Sequence, residues 1–387
     1  MEQNNSQALY KIVLEKIRQA PKFQLTFAEY MDLVLYHPQY GYYSSGAVGI
    51  GAKGDFFTAV SLGQDFGELL AKQLFQMWQN LDYPDNFSLV EMGAGNGELA
   101  KDIITYLQEY HPDFIEVANY TIIEKSPKLR QRQQQSLKEF SDINISWKSW
   151  EAIPDNELIG CCFSNELIDA FPVHQIVINN QKLQEVFVTE EVGKIIEKYD
   201  ELSTARLREY FDLVEIDIAQ PDYLQGYRTE INLKTLDWLE TVAQKLQRGY
   251  LLTIDYGYQA AKYYHPQRSQ GTLKCYYQHR HHNNPYVNLG QQDITSHIDF
   301  TALENYGTKL GLETVGFTKQ AIFLMALGLS DRLQELSTGK YNIQEIFNRR
   351  DALHQLINPS GLGGFGVLIQ GKNLAKEQYN LQGLKII

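Results

Sequence analysis

Apolar residues recur along this chain at two spacings, and the alternation between those spacings is its first structural signal. Near the N-terminus Leu9, Ile12, Val13 and Ile17 fall on one face of a helix. That periodicity predicts a largely helical segment over residues 1 to about 35, with a first amphipathic helix ending before Pro21. A Gly-, Tyr- and Ser-rich stretch, "HPQYGYYSSGAVGIGAKGDFF", then reads as loop, and "GQDFGELLAKQLFQMWQNL" returns to helical spacing. Beyond it, short continuous apolar runs alternate with amphipathic segments. "FSLVEM", "NYTIIE", "INISW", "LIGCCFSNEL" and "GYLLTIDYG" read as buried strands. "ELAKDIITYLQEY", with Leu99, Ile103 and Leu107 on one side, "KLRQRQQQSLKEF" and "LKTLDWLETVAQKL" read as helices. Ser126 and Pro127 supply a cap and a first-turn proline for the second of these. Strands alternating with helices imply βαβ units, right-handed crossovers and a mostly parallel, doubly wound α/β sheet. The chain closes with the helix "DFTALENYGTKLG", a strand at "LETVGF", more helix and a final strand "FGVLIQG".

Two stretches break this rhythm. "HQIVINNQKLQEVFV" reads as an antiparallel hairpin turning at Asn179–Asn180, which marks residues 175–225 as an insertion. Residues 258–298 are irregular and rich in His, Tyr and Asn. The expected division is an N-terminal region over 1–60, a core over 61–174 and 226–387, the insertion at 175–225, and a substrate-side loop at 258–298 within the core.

Composition narrows the class. The 387 residues, 43% hydrophobic and 21% charged, are ordinary for a soluble globular protein. A net charge of -12 disfavours non-specific nucleic-acid binding. Three cysteines, Cys161, Cys162 and Cys275, are too few for a disulfide framework and fit a reducing compartment, with the adjacent pair read as core. No apolar run approaches the length of a membrane span, and the N-terminus carries no apolar signal core, so a cytoplasmic protein is expected.

The chemistry concentrates at "VEMGAGNGELAKDI". A strand-to-helix turn presents backbone N–H groups and a positive helix end, and glycine lets a ligand approach closely. Here Gly93, Gly95 and Gly97 alternate with small residues, and Glu98 occupies the position where a dinucleotide fingerprint needs its third glycine. A carboxylate there would repel a pyrophosphate, and no Lys-Ser/Thr pair follows to make a P-loop. S-adenosylmethionine, an adenosine joined to a cationic amino acid, fits better. Glu91 suits its positive charges, and Glu124, ending the next strand in "YTIIEK", can accept hydrogen bonds from two ribose hydroxyls. The fourth and fifth strands end in "SNELIDAFP" and "TIDYGY", which brings Asn165, Glu166, Asp169, Asp255 and Tyr256 to the same rim. Helix capping is the simpler role for Asp169.

These residues also carry a resemblance. "FAEYMDLVLYHPQYGYY", "GDFFT", "FGELLA", "VEMGAGNGELAKDI", "SNELIDAFPV", "TIDYGY" and "QDITSHIDFTAL" are similar to the MidA-like class I methyltransferases, over about residues 26–325. That family includes a mitochondrial complex I assembly factor that methylates an arginine. The resemblance implies a seven-stranded sheet with an antiparallel last strand, and a cofactor lid in which Asp55, Phe56 and Thr58 close over S-adenosyl-L-methionine. Family members often carry Pro-Glu after this motif, where Val60 and Ser61 stand here.

The expected cofactor site is then Glu91, Gly93, Gly95, Gly97, Glu124, Asn165 and the lid residues, with no metal. The expected catalytic groups are Glu166 and Asp255, orienting a guanidinium and taking its proton, with Asp169 in support. The expected partner is a protein presenting an arginine, with a respiratory-complex-type subunit implied by the resemblance. A small-molecule N- or O-methyltransferase and a non-catalytic cofactor-binding assembly factor are the alternatives. His279, His281, His282 and His297 match no standard zinc spacing and read as a substrate-side loop in which Tyr276, Tyr277 and Tyr286 could stack on a guanidinium. The insertion is a candidate surface for a partner or a second copy, and its acids Glu185, Glu190, Glu191 and Glu197 read as a solvated face.

Overall fold

The computed structural model describes residues 2–45, 58–339 and 341–385. Its centre is a seven-stranded sheet: β1 (Phe87–Met92), β2 (Ala118–Ile123), β3 (Ile145–Lys148), β4 (Leu158–Asn165), β5 (Leu246–Asp255), β6 (Glu313–Lys319) and β7 (Gly366–Lys372). Across the sheet the order is β6-β7-β5-β4-β1-β2-β3. β1 to β5 are mutually parallel, and β7 runs antiparallel to both β5 and β6. The expected α/β sheet with an antiparallel last strand is therefore present.

Side chains on successive strand positions point to opposite faces, so each face needs its own cover. On β1, Leu89 joins a core built with α3 (Asp65–Asn80) and α4 (Glu98–Tyr110), while Val90 joins a core built with α6 (Leu233–Lys245) and α7 (Phe300–Lys309). Between these, α5 (Pro127–Ser136) follows β2. The chain order reverses where β1 lies between β2 and β4, and a sheet of this kind opens a crevice at that switch point.

The N-terminal segment departs from the helical expectation. α1 (Glu2–Gln19) and α2 (Phe27–Tyr36) are separated by a short strand, Gln24–Thr26. Pro21 removes a helical donor, Lys22 and Phe23 turn at positive φ, and the strand finds its hydrogen bonds on Phe187–Thr189 instead. Thr26 and Glu29 then close a capping box that starts α2. The strand joins a five-stranded sheet with His174–Asn179, Lys182–Glu191, Lys194–Asp200 and Arg228–Ile231. The hairpin is there, but its two-residue turn is Asn180–Gln181, one residue later than the sequence indicates, with both residues at positive φ.

Against this sheet, Tyr10 of α1 donates to the Gly193 carbonyl at 2.8 Å, and Arg18 meets Glu190 at 2.9 Å. Not all of its acids are solvated: Glu185 is fully buried and accepts from the Ser203 N–H at 2.6 Å. Within residues 258–298 the chain forms a small antiparallel sheet of Lys274–Tyr277, Arg280–His282 and Asp293–Thr295. Among the described residues no helix is long and apolar enough to cross a membrane.

Candidate functional site

The crevice is a cavity walled by the β1–α4 turn, the ends of β2 and β4, and α2 with the chain just after it. Gly93, Gly95 and Gly97 all hold positive φ, at 74°, 53° and 83°. L side chains pay roughly 1–2 kcal/mol for that conformation, which is why glycine fills all three positions. A Cβ at Gly93 would stand 2.7 Å from the Leu167 side chain. The loop after β4 therefore packs directly on the bare turn, and Gly93 to Asn96 border the cavity together with Leu167.

Two carboxylates flank it. Glu91, buried at the end of β1, accepts from the Tyr120 hydroxyl at 2.6 Å, and burial pushes its carboxyl up to about 7. Glu124, at the end of β2, accepts from the Ser126 N–H at 2.7 Å and the Gln133 amide at 3.1 Å. The same Gln133 amide reaches the Gly95 carbonyl at 2.9 Å, while its oxygen accepts from the Trp147 indole at 3.0 Å. Gln133 thus ties the glycine turn to the acid, a role that periodicity hides inside an otherwise polar helix.

The opposite wall is aromatic. Tyr36 and Tyr43 stack with centroids 5.3 Å apart; their hydroxyls donate to the Ala170 carbonyl at 2.9 Å and to Asp293 at 2.6 Å. None of Tyr36, Tyr43 and Asp293 is recoverable from strand-end logic, because they reach the cavity from elements distant in sequence. The Tyr-rich run "YHPQYGYY", which begins at Tyr36 and ends at Tyr43, is the signal that points toward the two tyrosines. Thr58 and Val60 also line the cavity. Ser61 serves the local backbone, and its hydroxyl accepts from the Thr58 N–H at 3.1 Å. Asp55 and Phe56 lie outside the described residues.

At the β4 end, Asn165, Glu166 and Asp169 all face the cavity. Glu166 holds φ at 51°, rare for a non-glycine residue, with its N–H bonded to the Ile254 carbonyl at 2.9 Å. Burial, reinforced by Asp169, pushes its carboxyl up to about 8, against hydrogen bonds from the Asn165 amide and the Ala59 N–H. Among the described residues the Asn165 Oδ1 and Asp169 Oδ1 atoms are buried without a hydrogen-bond partner, so acceptors stand ready for donors of a ligand.

Asp255 does something other than expected. It is fully buried, does not line the cavity, and accepts from the N–H groups of Ile168, Asp169 and Tyr256 at 3.0, 3.2 and 2.8 Å. It holds the loop that carries Glu166 and Asp169 instead of facing the cavity. Tyr256 adds a 2.7 Å hydrogen bond to Asp169.

Behind Glu166 a second cavity opens, lined by Tyr256, Tyr258, His279, His281 and His297. Burial lowers the His297 imidazole to about 4, leaving it neutral and stacked on Tyr258 at 5.0 Å. His282 and Tyr286 are not part of this wall; Tyr286 turns away to donate to Glu197 at 2.8 Å and packs on Tyr30 and Phe27.

The family model of S-adenosyl-L-methionine-dependent methyltransferases matches residues 69–318. The chain belongs to that family. A solved superfamily structure from Burkholderia thailandensis, bound to S-adenosyl-homocysteine, superposes with a TM-score of 0.86 at 30% identity, covering 99% of this chain and 95% of that one. The Drosophila melanogaster protein named as a mitochondrial protein arginine methyltransferase NDUFAF7 homolog is 28% identical over 87% of this chain and 78% of its own length. The human protein arginine methyltransferase NDUFAF7, also mitochondrial by name, is 26% identical over 81% and 72%. Those names overturn the expectation of a cytoplasmic protein. The cofactor of this methyltransferase is S-adenosyl-L-methionine, and the glycine cradle and the unpartnered acceptors fit such a group.

Proposed function

We propose that this methyltransferase acts on an arginine side chain of a protein partner. The observation that carries the reading is the position of Glu166, whose strained backbone leaves its carboxyl lining both the cofactor cavity and the second cavity behind it. The naming of the relatives as protein arginine methyltransferases supports the same substrate class.

The residue roles follow from charge and position. Glu91, Glu124 and the turn Gly93, Gly95 and Gly97 hold the cofactor, with Asn165 and Thr58 at its edge; Asp55 and Phe56 belong to the proposed lid. When bound, the cofactor supplies a methyl group on a sulfonium. A guanidinium is cationic with a very high pKa, so it must be oriented and relieved of a proton before its nitrogen can attack. Glu166 is the acceptor. At pH 7 its carboxyl is mostly protonated in the free protein, and an arriving cation favours the charged form and expels that proton. Asp169, steadied by Tyr256, supports the same cation, and Asp255 fixes the loop. The crevice walls exclude water from the displacement.

Labelled methyl transfer into cell lysate, followed by acid hydrolysis of the product, tests the reading. Labelled methylarginine is the expected product; label in methyl-lysine or only in small molecules overturns it.

A further inference from the structure

The second cavity carries an electrostatic imbalance that proton transfer at Glu166 does not use. Its rim includes Lys262, Arg280 and Lys319, and Glu166 is the one carboxylate among the described lining residues. Ion pairs among the described residues engage none of these three cations. They come from separate elements: Lys262 from the short helix Ala260–Tyr263, Arg280 from the strand after a tight turn at Gln278–His279, and Lys319 from the end of β6. Lys262 lies 4.2 Å and Arg268 4.6 Å from the Tyr258 ring centroid, so a further guanidinium stands beside this rim, and the electron-rich ring face helps hold the two cations close together. Burial and the charge of Lys262 both hold the Lys319 ammonium below its usual range.

Cations converging in a chain of net charge -12 repel one another unless a ligand neutralises them. A guanidinium alone would be repelled at this rim, yet the acid that would receive it lies inside. Anionic groups beside the target side chain resolve the conflict. We infer that the rim of Lys262, Arg280 and Lys319 binds the carboxylates of an acidic peptide segment that presents the methylated residue. The inference rests on the arginine reading for the identity of that residue, while the rim itself recognises flanking Asp and Glu side chains. Such complementarity sets partner choice and association rate.

The test measures binding without turnover. A fluorescein-labelled, Glu-rich decapeptide containing no arginine is titrated with the full chain in low salt and followed by anisotropy. Saturable binding is expected, weakened at least tenfold in the triple variant Lys262→Gln, Arg280→Gln, Lys319→Gln and about threefold in Arg280→Gln alone, whose side chain lies on an exposed hairpin. A Gln-rich decapeptide is expected to bind neither protein. Retained binding of S-adenosyl-homocysteine shows that the triple variant is folded; if it is not, the single exposed variant decides. Equal affinity of wild type and variant for the acidic peptide, or no binding to wild type, overturns the inference. Charge-dependent binding without any methylarginine in lysate would sink the arginine reading and leave the acidic-segment assignment standing.

Discussion

Glu166 and Asp255 look alike in the sequence, each an acid at the end of a buried strand, and the structure gives them opposite surroundings. Glu166 faces two cavities with a carboxyl near 8, whereas Asp255 is enclosed by three backbone N–H groups. Glu166→Gln is therefore expected to lower kcat by about 10²- to 10⁴-fold while S-adenosyl-homocysteine affinity by calorimetry stays near wild type. In the wild type, kcat/KM for the protein substrate should rise with pH through about 8, as Glu166 loses its proton. A flat profile would remove Glu166 as proton acceptor. Asp255→Asn sets an amide N–H₂ or a weaker neutral acceptor against buried donors. It should cost about 1–3 kcal/mol in denaturant unfolding, and its kinetic defect should track the disturbed loop. At Glu124, replacement by Ala removes a charged acceptor proposed for the ribose and should weaken cofactor binding by about 10- to 100-fold, the value of a charged hydrogen bond.

Elements succeed here where backbone geometry is demanded by neighbours. Gly160 of β4, at φ 151°, lies so close to β1 that a Cβ would stand 2.2 Å from the Ser88 carbonyl oxygen. Gly160→Ala must push the two central strands apart, and of the order of 3 kcal/mol is the cost of such overpacking. Thermal unfolding and soluble yield check this; an unchanged Tm would show that the strand pair yields more easily than its spacing implies. The N-terminal segment shows the converse. Helical periodicity in α1 and α2 is legible, but the strand Gln24–Thr26 between them is not, because three residues hold no period and their conformation is set by a partner more than 160 positions away. The shift of the hairpin turn to Asn180–Gln181 has a similar origin: only the cross-strand register decides which pair bears positive φ.

For the molecule as a whole, buried acids dominate the response to pH. Burial pushes Glu91 and Asp299 to about 7 and Glu166 to about 8. In the unfolded chain these groups titrate at roughly 4. The folded protein therefore holds protons that the unfolded chain has released, and stability falls as pH rises across that interval. The favourable contribution is complete below about 4 and spent once pH passes about 8. Without cofactor, Tm should be higher at pH 6 than at pH 8, and Glu166→Gln should flatten the slope in differential scanning calorimetry. A Tm that climbs from pH 6 to 8 would contradict the burial of these charges. A positively charged ligand beside them should narrow the difference.

Local chemistry carries much of this protein. Alternating apolar runs, capped helices and a glycine turn that tolerates positive φ specify the parallel sheet and the crevice proposed for the cofactor, since those choices depend on residues near one another in the chain. The same logic leads to Glu91, Glu124, Asn165, Glu166 and Asp169, all of which line one cavity. It does not separate a carboxylate that faces the cavity from Asp255, which braces the loop, because both follow an apolar strand and only packing decides which way each is turned. Nor does it assemble Tyr36, Tyr43 and Asp293, or the cations around the second cavity. Each of these groups is brought to its wall from separate parts of the chain, and the burial that shifts its chemistry exists only once the chain has folded.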